Sequence, residues 1–165
     1  MSGVLGMSPR RFIVVIAATV LAISAHAQSV EKRSSSSGAK EKLIGAWHLV
    51  HIDAPGSDRK PAPVPQPTGM LIYTRDGHMS VQLMYPESAN TLSNEYVLSG
   101  YEASFGRYDI DEIAHTVTHH VKGSNTRGLL VGKDLPRKYE FTADGRLVVR
   151  SARADEHWAV TWEHY

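Results

Sequence analysis

Thr68-Gly-Met-Leu-Ile-Tyr-Thr-Arg-Asp-Gly-His-Met-Ser-Val-Gln-Leu-Met-Tyr85 decides the fold. Asp76-Gly77 at its centre is the strongest short hairpin signal in the chain, because a two-residue primed turn needs positive φ at both positions. The flanks, Thr68 to Arg75 and His78 to Tyr85, read as two paired strands. Alternation puts Met79, Val81, Leu83 and Tyr85 on one face, expected to be interior, and His78, Ser80, Gln82 and Met84 on the other.

Outward from this hairpin the pattern repeats. Leu43 to Ile52 is a first strand, and Pro55, Pro61, Pro63, Pro65 and Pro67 then forbid continuous ladder pairing. After the polar stretch Pro86 to Asn94, residues Glu95 to Tyr101 are expected to form a helical turn or two capped by Asn94. Strands resume at Ala103 to Ile110, Thr116 to Lys122, Asp134 to Phe141, Arg146 to Ala152 and His157 to Tyr165, with Ser124 to Lys133 as a Gly-bearing loop. Eight strands with short connections and no crossover helix predict an all-β fold, an eight-stranded antiparallel up-and-down barrel. The same count turns Tyr108, Ile110, Val117, His119, Val121, Arg137, Tyr139, Phe141, Leu147, Val149, Trp158, Val160 and Trp162 inward, and Thr116, Thr118 and His120 outward. Gly106 and Gly123 mark bends or bulges, and a bulge there could exchange His119 with His120.

The barrel is preceded by two segments of other character. Arg10 and Arg11 lead into an apolar run from Phe12 to Ile23, followed by Ser24-Ala-His-Ala27, which reads as a secretory signal helix over residues 1–27. That run is shorter than the roughly 20 residues of a membrane span, so no stable span is expected after cleavage. The Arg pair falls short of the twin-arginine pattern, which favours the general secretory route and a periplasmic or secreted location. Residues 28–42, with four serines at Ser34 to Ser37, read as a disordered linker, leaving residues 43–165 as the barrel domain.

Of 18 Lys and Arg, the leader removes Arg10 and Arg11 and no acid, so 16 remain against 17 Asp and Glu. This balance argues against a nucleic-acid partner. The chain has no cysteine, which excludes disulfides, thiolate metal sites, cysteine nucleophiles and a lipidated cysteine.

Four motifs in order, Leu43-Ile-Gly-Ala-Trp47-His-Leu-Val50, Gly69 to Ser80, Phe105-Gly-Arg-Tyr108 and Thr116-Val-Thr-His-His-Val121, resemble the bacterial lipocalin-like domain family over residues 43–165. The resemblance implies a lipocalin-type barrel and no particular substrate. Gly45-Ala-Trp47 is similar to the Gly-x-Trp opening of lipocalins, implying a Trp that plugs the closed end beneath a basic residue of a late strand, for which Arg146 and Arg150 are candidates. The prolines at Pro61 to Pro67, the serine linker and the missing disulfide depart from the pattern.

The sequence holds no nucleophile elbow, phosphate loop or His-Glu-x-x-His, so no catalytic residue is assigned. His119 and His120, adjacent in a strand, face opposite ways and cannot both bind one metal; no spacing among His78, His115, His119 and His157 specifies a metal or a cofactor. The expected function is binding of a small apolar or amphipathic molecule inside the barrel. Tyr101, Tyr108 and His119 are the expected polar anchors, with Met79, Val81, Leu83 and Trp162 as walls. Two alternatives stand beside it. One is an isomerase or hydrolase using His119 with a phenol or carboxylate such as Tyr73, Tyr108, Asp109 or Glu140; the other is a filled barrel with a structural or interaction role.

Overall fold

Nine strands form where the polar and apolar residues alternate: β1 (Gly45–Asp53), β2 (Thr68–Tyr73), β3 (His78–Met84), β4 (Val97–Leu98), β5 (Tyr101–Asp111), β6 (Thr116–Ser124), β7 (Asp134–Phe141), β8 (Leu147–Ser151) and β9 (Ala159–His164). The structure, a computed structural model, describes residues 38–54, 65–89 and 93–165. The expected signal helix, most of the linker and most of the proline-rich connection lie outside the described residues. The last part of the expected linker departs from a disordered chain: residues 38–43 are helical, Ala39 packs against the core, and Glu41 pairs with Arg75 at 2.8 Å. Among the described residues no helix is long and apolar enough to cross a membrane.

Consecutive strands pair antiparallel from β1 to β9, with β4 standing aside. Two contacts complete the circle: β9 pairs with β1, and β3 pairs with β5 from His78↔Arg107 to Met84↔Tyr101. The result is a closed antiparallel barrel of eight strands, β4 being a two-residue addition on β5.

One end of the barrel is closed by tight turns. Thr74-Arg-Asp-Gly77 and Thr142-Ala-Asp-Gly145 adopt the same arrangement, in which the Gly N–H donates to the Thr carbonyl at 3.1 and 3.0 Å. Each Thr Oγ1 also accepts the N–H of the residue after the glycine, His78 or Arg146, at 3.0 Å. Only the glycines take positive φ, 86° at Gly77 and 87° at Gly145. The β2–β3 hairpin therefore forms in the expected place with a different turn. The primed geometry belongs instead to Ser99 and Gly100, both at positive φ (52° and 76°), which join β4 to β5.

That turn explains why Glu95 to Tyr101 is not helical. Asn94 Oδ1 does accept from two backbone N–H groups, those of Tyr96 (2.8 Å) and Val97 (2.9 Å). Val97, only 2% exposed, is then drawn into pairing opposite Glu102, so long-range pairing overrides the local cap.

A register shift falls between Phe105 and Gly106, where Phe105 faces Gly123 and Gly106 faces Val121, leaving Lys122 as the extra residue. A Cβ at Gly106 would stand 2.0 Å from the His120 carbonyl oxygen, and one at Gly123 would strike the Phe105 ring at 2.3 Å, so both glycines serve close approach. Because the extra residue follows Val121, the phase of Val117, His119 and Val121 is kept: His119 is 8% exposed and interior.

His120 faces outward and ties three strands together. Its Nδ1 lies 2.7 Å from Asp134 of β7 and its Nε2 2.9 Å from Asp109 of β5. These two carboxylates, Asp134 most strongly, raise the ring's pKa above its ordinary 6.5. The clamp's contribution is complete below that ordinary value and is lost as pH rises through the raised folded value. His120→Ala will therefore cost about 0.5–1 kcal/mol at pH 6 and markedly less at pH 9, read by urea denaturation at both. Equal losses at the two pH values would show that the clamp carries no charge.

Candidate functional site

Trp47, 1% exposed, fills the closed end. Its Nε1 donates to the Leu43 carbonyl at 2.9 Å, and its ring lies 3.8 Å from the His164 ring, centroid to centroid. The basic residue from a late strand is thus His164, paired directly with Trp47 in the β1–β9 register, and not Arg146 or Arg150. Those two are engaged on the outside, Arg146 with Asp144 and Glu163, Arg150 with Glu140 at 2.8 Å. Gly45 is required beside this stack, since its Cβ would meet His164 at 2.2 Å and its φ is 143°.

At the other end the connections are longer, and the interior is not filled. A cavity of about 170 Å³ remains, walled by Leu71, Val81, Leu83, Val149, Val160 and Trp162. Gln66 holds one side of its rim by using its side-chain amide in place of a strand: it accepts from Ile52 N–H at 2.9 Å and donates to Ile52 O at 3.1 Å.

Arg137, His119, Glu102 and Tyr96 are among the polar side chains that enter this apolar cup. Arg137 comes from β7, where alternation with Tyr139 turns it inward, and it is 5% exposed. Its guanidinium lies over the rings of Trp158 (4.8 Å) and Tyr96 (5.1 Å). It also shares a hydrogen bond with Tyr96, and among the described residues the nearest carboxylate oxygen, on Glu156, is 4.0 Å away, the outer limit of an ion pair. Glu156 is already occupied by Tyr96 Oη at 3.0 Å, Trp158 Nε1 at 3.1 Å and Arg153 at 3.2 Å. Burial raises the pKa of Glu156, but hydrogen bonds led by Ser151 and Tyr96 outweigh it and hold the carboxyl below its usual range.

His119 comes from β6. Burial, aided by the charge of Arg137, pushes its pKa down to about 3, so the ring is neutral. Its Nε2 lies 2.6 Å from Tyr73 Oη, and burial raises the Tyr73 pKa, so a neutral imidazole and a neutral phenol share this hydrogen bond. Glu102 enters from β5, where Leu83 and Val97 flank it in the neighbouring strands. Burial pushes its carboxyl up to about 7, with Arg137 pulling the other way. Tyr96 also lines the cup, raised to about 12 chiefly by burial.

Of the residues expected to bind ligand, Val81, Leu83, His119 and Trp162 line the cavity. Met79, 3% exposed, packs in the core without lining it. The Tyr108 hydroxyl is spent on the Thr74 carbonyl at 2.9 Å, at the closed end. Tyr101 is 55% exposed on the outer face, opposite Met84 and Leu98. Reading residues 95–101 as helix hid the strand phase that turns Glu102 inward and Tyr101 outward. Arg137 was legible as interior, but nothing in β7 alone says that, among the described residues, its nearest carboxylate stands 4.0 Å away.

The acids considered for catalysis with His119 do not join it: Asp109 binds His120 and Glu140 binds Arg150, both outside. Among the described residues no group of three or more His, Asp or Glu side chains stands together as a metal site.

A closed up-and-down barrel plugged by Trp at one end and hollow at the other is a cup-shaped barrel of the lipocalin type. The sequence pattern of the lipocalin-like domain family matches residues 44–164, and the chain belongs to that family. No curated protein matches it. Among solved structures, a crystal structure of a mutant of the fluorescent protein UnaG is similar at a TM-score of 0.38 and 13% identity, covering 75% of this chain and 96% of that one.

Proposed function

We propose that the protein is an exported binding barrel that holds a compact amphipathic molecule in its cup, with an anionic group of the ligand against Arg137. The observation that carries this reading is a guanidinium buried in an apolar cavity whose nearest carboxylate, among the described residues, is 4.0 Å away. A buried charge without a close anionic partner is costly, and a ligand carboxylate in bidentate contact would offset that cost. Trp162 supports the same reading, since it lines the wall and its Nε1 is buried without a hydrogen-bond partner. The cavity, about 170 Å³, falls below the roughly 300–1,000 Å³ of drug-sized sites, which favours a short-chain or single-ring acid over a long lipid. The leader read at residues 1–27 supports export.

Native mass spectrometry on protein purified gently from the exported fraction tests this, followed by denaturation and identification of whatever is released. The expected result is a mature mass lacking the leader and carrying a small acid at near one-to-one ratio. A bare mass that stays bare after exposure to a panel of short-chain and aromatic carboxylates would overturn the reading.

A further inference from the structure

We propose that Glu102 makes ligand capture proton-coupled: the cup takes an anionic ligand together with one proton from solvent, which comes to rest on the Glu102 carboxyl. This rests on the anion-binding reading above. Among the described residues that line the cavity, Arg137 is the cation, and Glu102 is the carboxylate that shares the space with it. Glu156, fully engaged at the rim, is the second acid near Arg137.

A ligand carboxylate brought to Arg137 would place another negative charge in apolar surroundings beside Glu102. Leu83 (4% exposed) and Val97 (2%) stand directly beside it on the adjoining strands, and Glu102 itself is half-buried where it lines the cavity. A second negative charge in the same apolar space disfavours ionisation of Glu102 and raises its pKa further, against the pull of Arg137. Protonated, Glu102 changes from a competitor for Arg137 into a hydrogen-bond donor available to the ligand.

The groups facing Glu102 from the surrounding elements leave it as the titrating group of the cup near neutral pH. Tyr85, after β3, and Tyr96, before β4, are pushed up to about 12 by burial. His119 on β6 is pushed down to about 3, and Glu156 between β8 and β9 is held low. Glu102 itself stands at about 7.

The test is calorimetric titration of the full chain with octanoate, which stays ionised throughout, at pH 6 and pH 8 in buffers of different ionisation enthalpy. Wild-type protein will bind about tenfold more weakly at pH 8 than at pH 6 and will take up about one proton per ligand at pH 8. Glu102→Gln, neutral at every pH, will bind equally at both with the affinity of wild type at pH 6. Equal wild-type affinities without proton uptake would overturn the coupling and leave anion binding standing. Failure of wild type and variant alike to bind octanoate at either pH would overturn both. Carboxyl carbon NMR of wild-type Glu102 gives a readout independent of the variant's folding: its titration will move upward when octanoate is added, and an unmoved midpoint overturns the proposal.

Discussion

Arg137→Met will lower the affinity for anionic ligands by roughly 30- to 1,000-fold, about 2–4 kcal/mol, while the barrel stays folded. Methionine keeps the length of the apolar stem and still fills the space against Tyr96 and Trp158, over whose rings the guanidinium lies. Removal of the charge does not strand its neighbour, because Glu156 retains Tyr96, Trp158 and Arg153. Replacing a buried charge by an apolar group of similar volume is commonly neutral or stabilising, so the urea midpoint should change by no more than about 1 kcal/mol equivalent. The variant also removes the charge of Arg137, which lowers the Glu102 pKa, so Glu102 will titrate at a higher pH than in the wild type. Calorimetry with a carboxylate and with the alcohol of the same chain length separates the effects: the variant should lose the acid and keep the alcohol. Undiminished binding of the acid would show that Arg137 is a structural charge.

Trp47→Ala will have the largest effect on stability, about 3–5 kcal/mol, because a large buried ring is deleted where the surroundings cannot collapse. The ring is 1% exposed, stacked on His164 and near Phe141, and its Nε1 satisfies the Leu43 carbonyl. Gly45, which carries no side chain, cannot fill the space, and His164 is fixed by the β1–β9 pairing. For a domain with the usual stability of about 5–15 kcal/mol, such a loss leaves a marginal or unfolded protein at 37 °C. Trp47→Phe should recover most of the difference by restoring volume without the Nε1 donor. A cost below about 1 kcal/mol for the alanine variant, measured by urea denaturation, would mean that the closed end tolerates a void and that Trp47 is no plug.

The barrel was legible in the sequence because its signals are local and repeat. Period-two alternation assigned the inward faces of β3, β6, β7, β8 and β9, and Asp76-Gly77 placed the turn between β2 and β3. His119 and His120 were separated correctly because adjacent residues in a strand must diverge. The turn types were not legible in the same way: Asp76-Gly77 and Ser99-Gly100 both suit a primed turn, and the pairing around them chose between the two. The helical reading of residues 95–101 failed for a related reason. An Asn cap and a few good helix formers are worth little against strand pairing with β5, and with that error went the phase of Glu102 and Tyr101.

By itself, the sequence determined the all-β architecture, most strand positions and most of the interior face, because these follow from spacing along the chain; the Trp at the closed end came from the resemblance of Gly45-Ala-Trp47 to the lipocalin opening. Tertiary structure decided what the interior does. Whether Arg137 meets a carboxylate closely or at 4.0 Å, whether Glu102 faces water or Leu83 and Val97, and which basic residue lies over Trp47 depend on groups up to 117 residues apart, brought together when β3 pairs with β5 and β9 with β1. Charge and desolvation act through space, so the chemistry of the cup exists only once the barrel is closed.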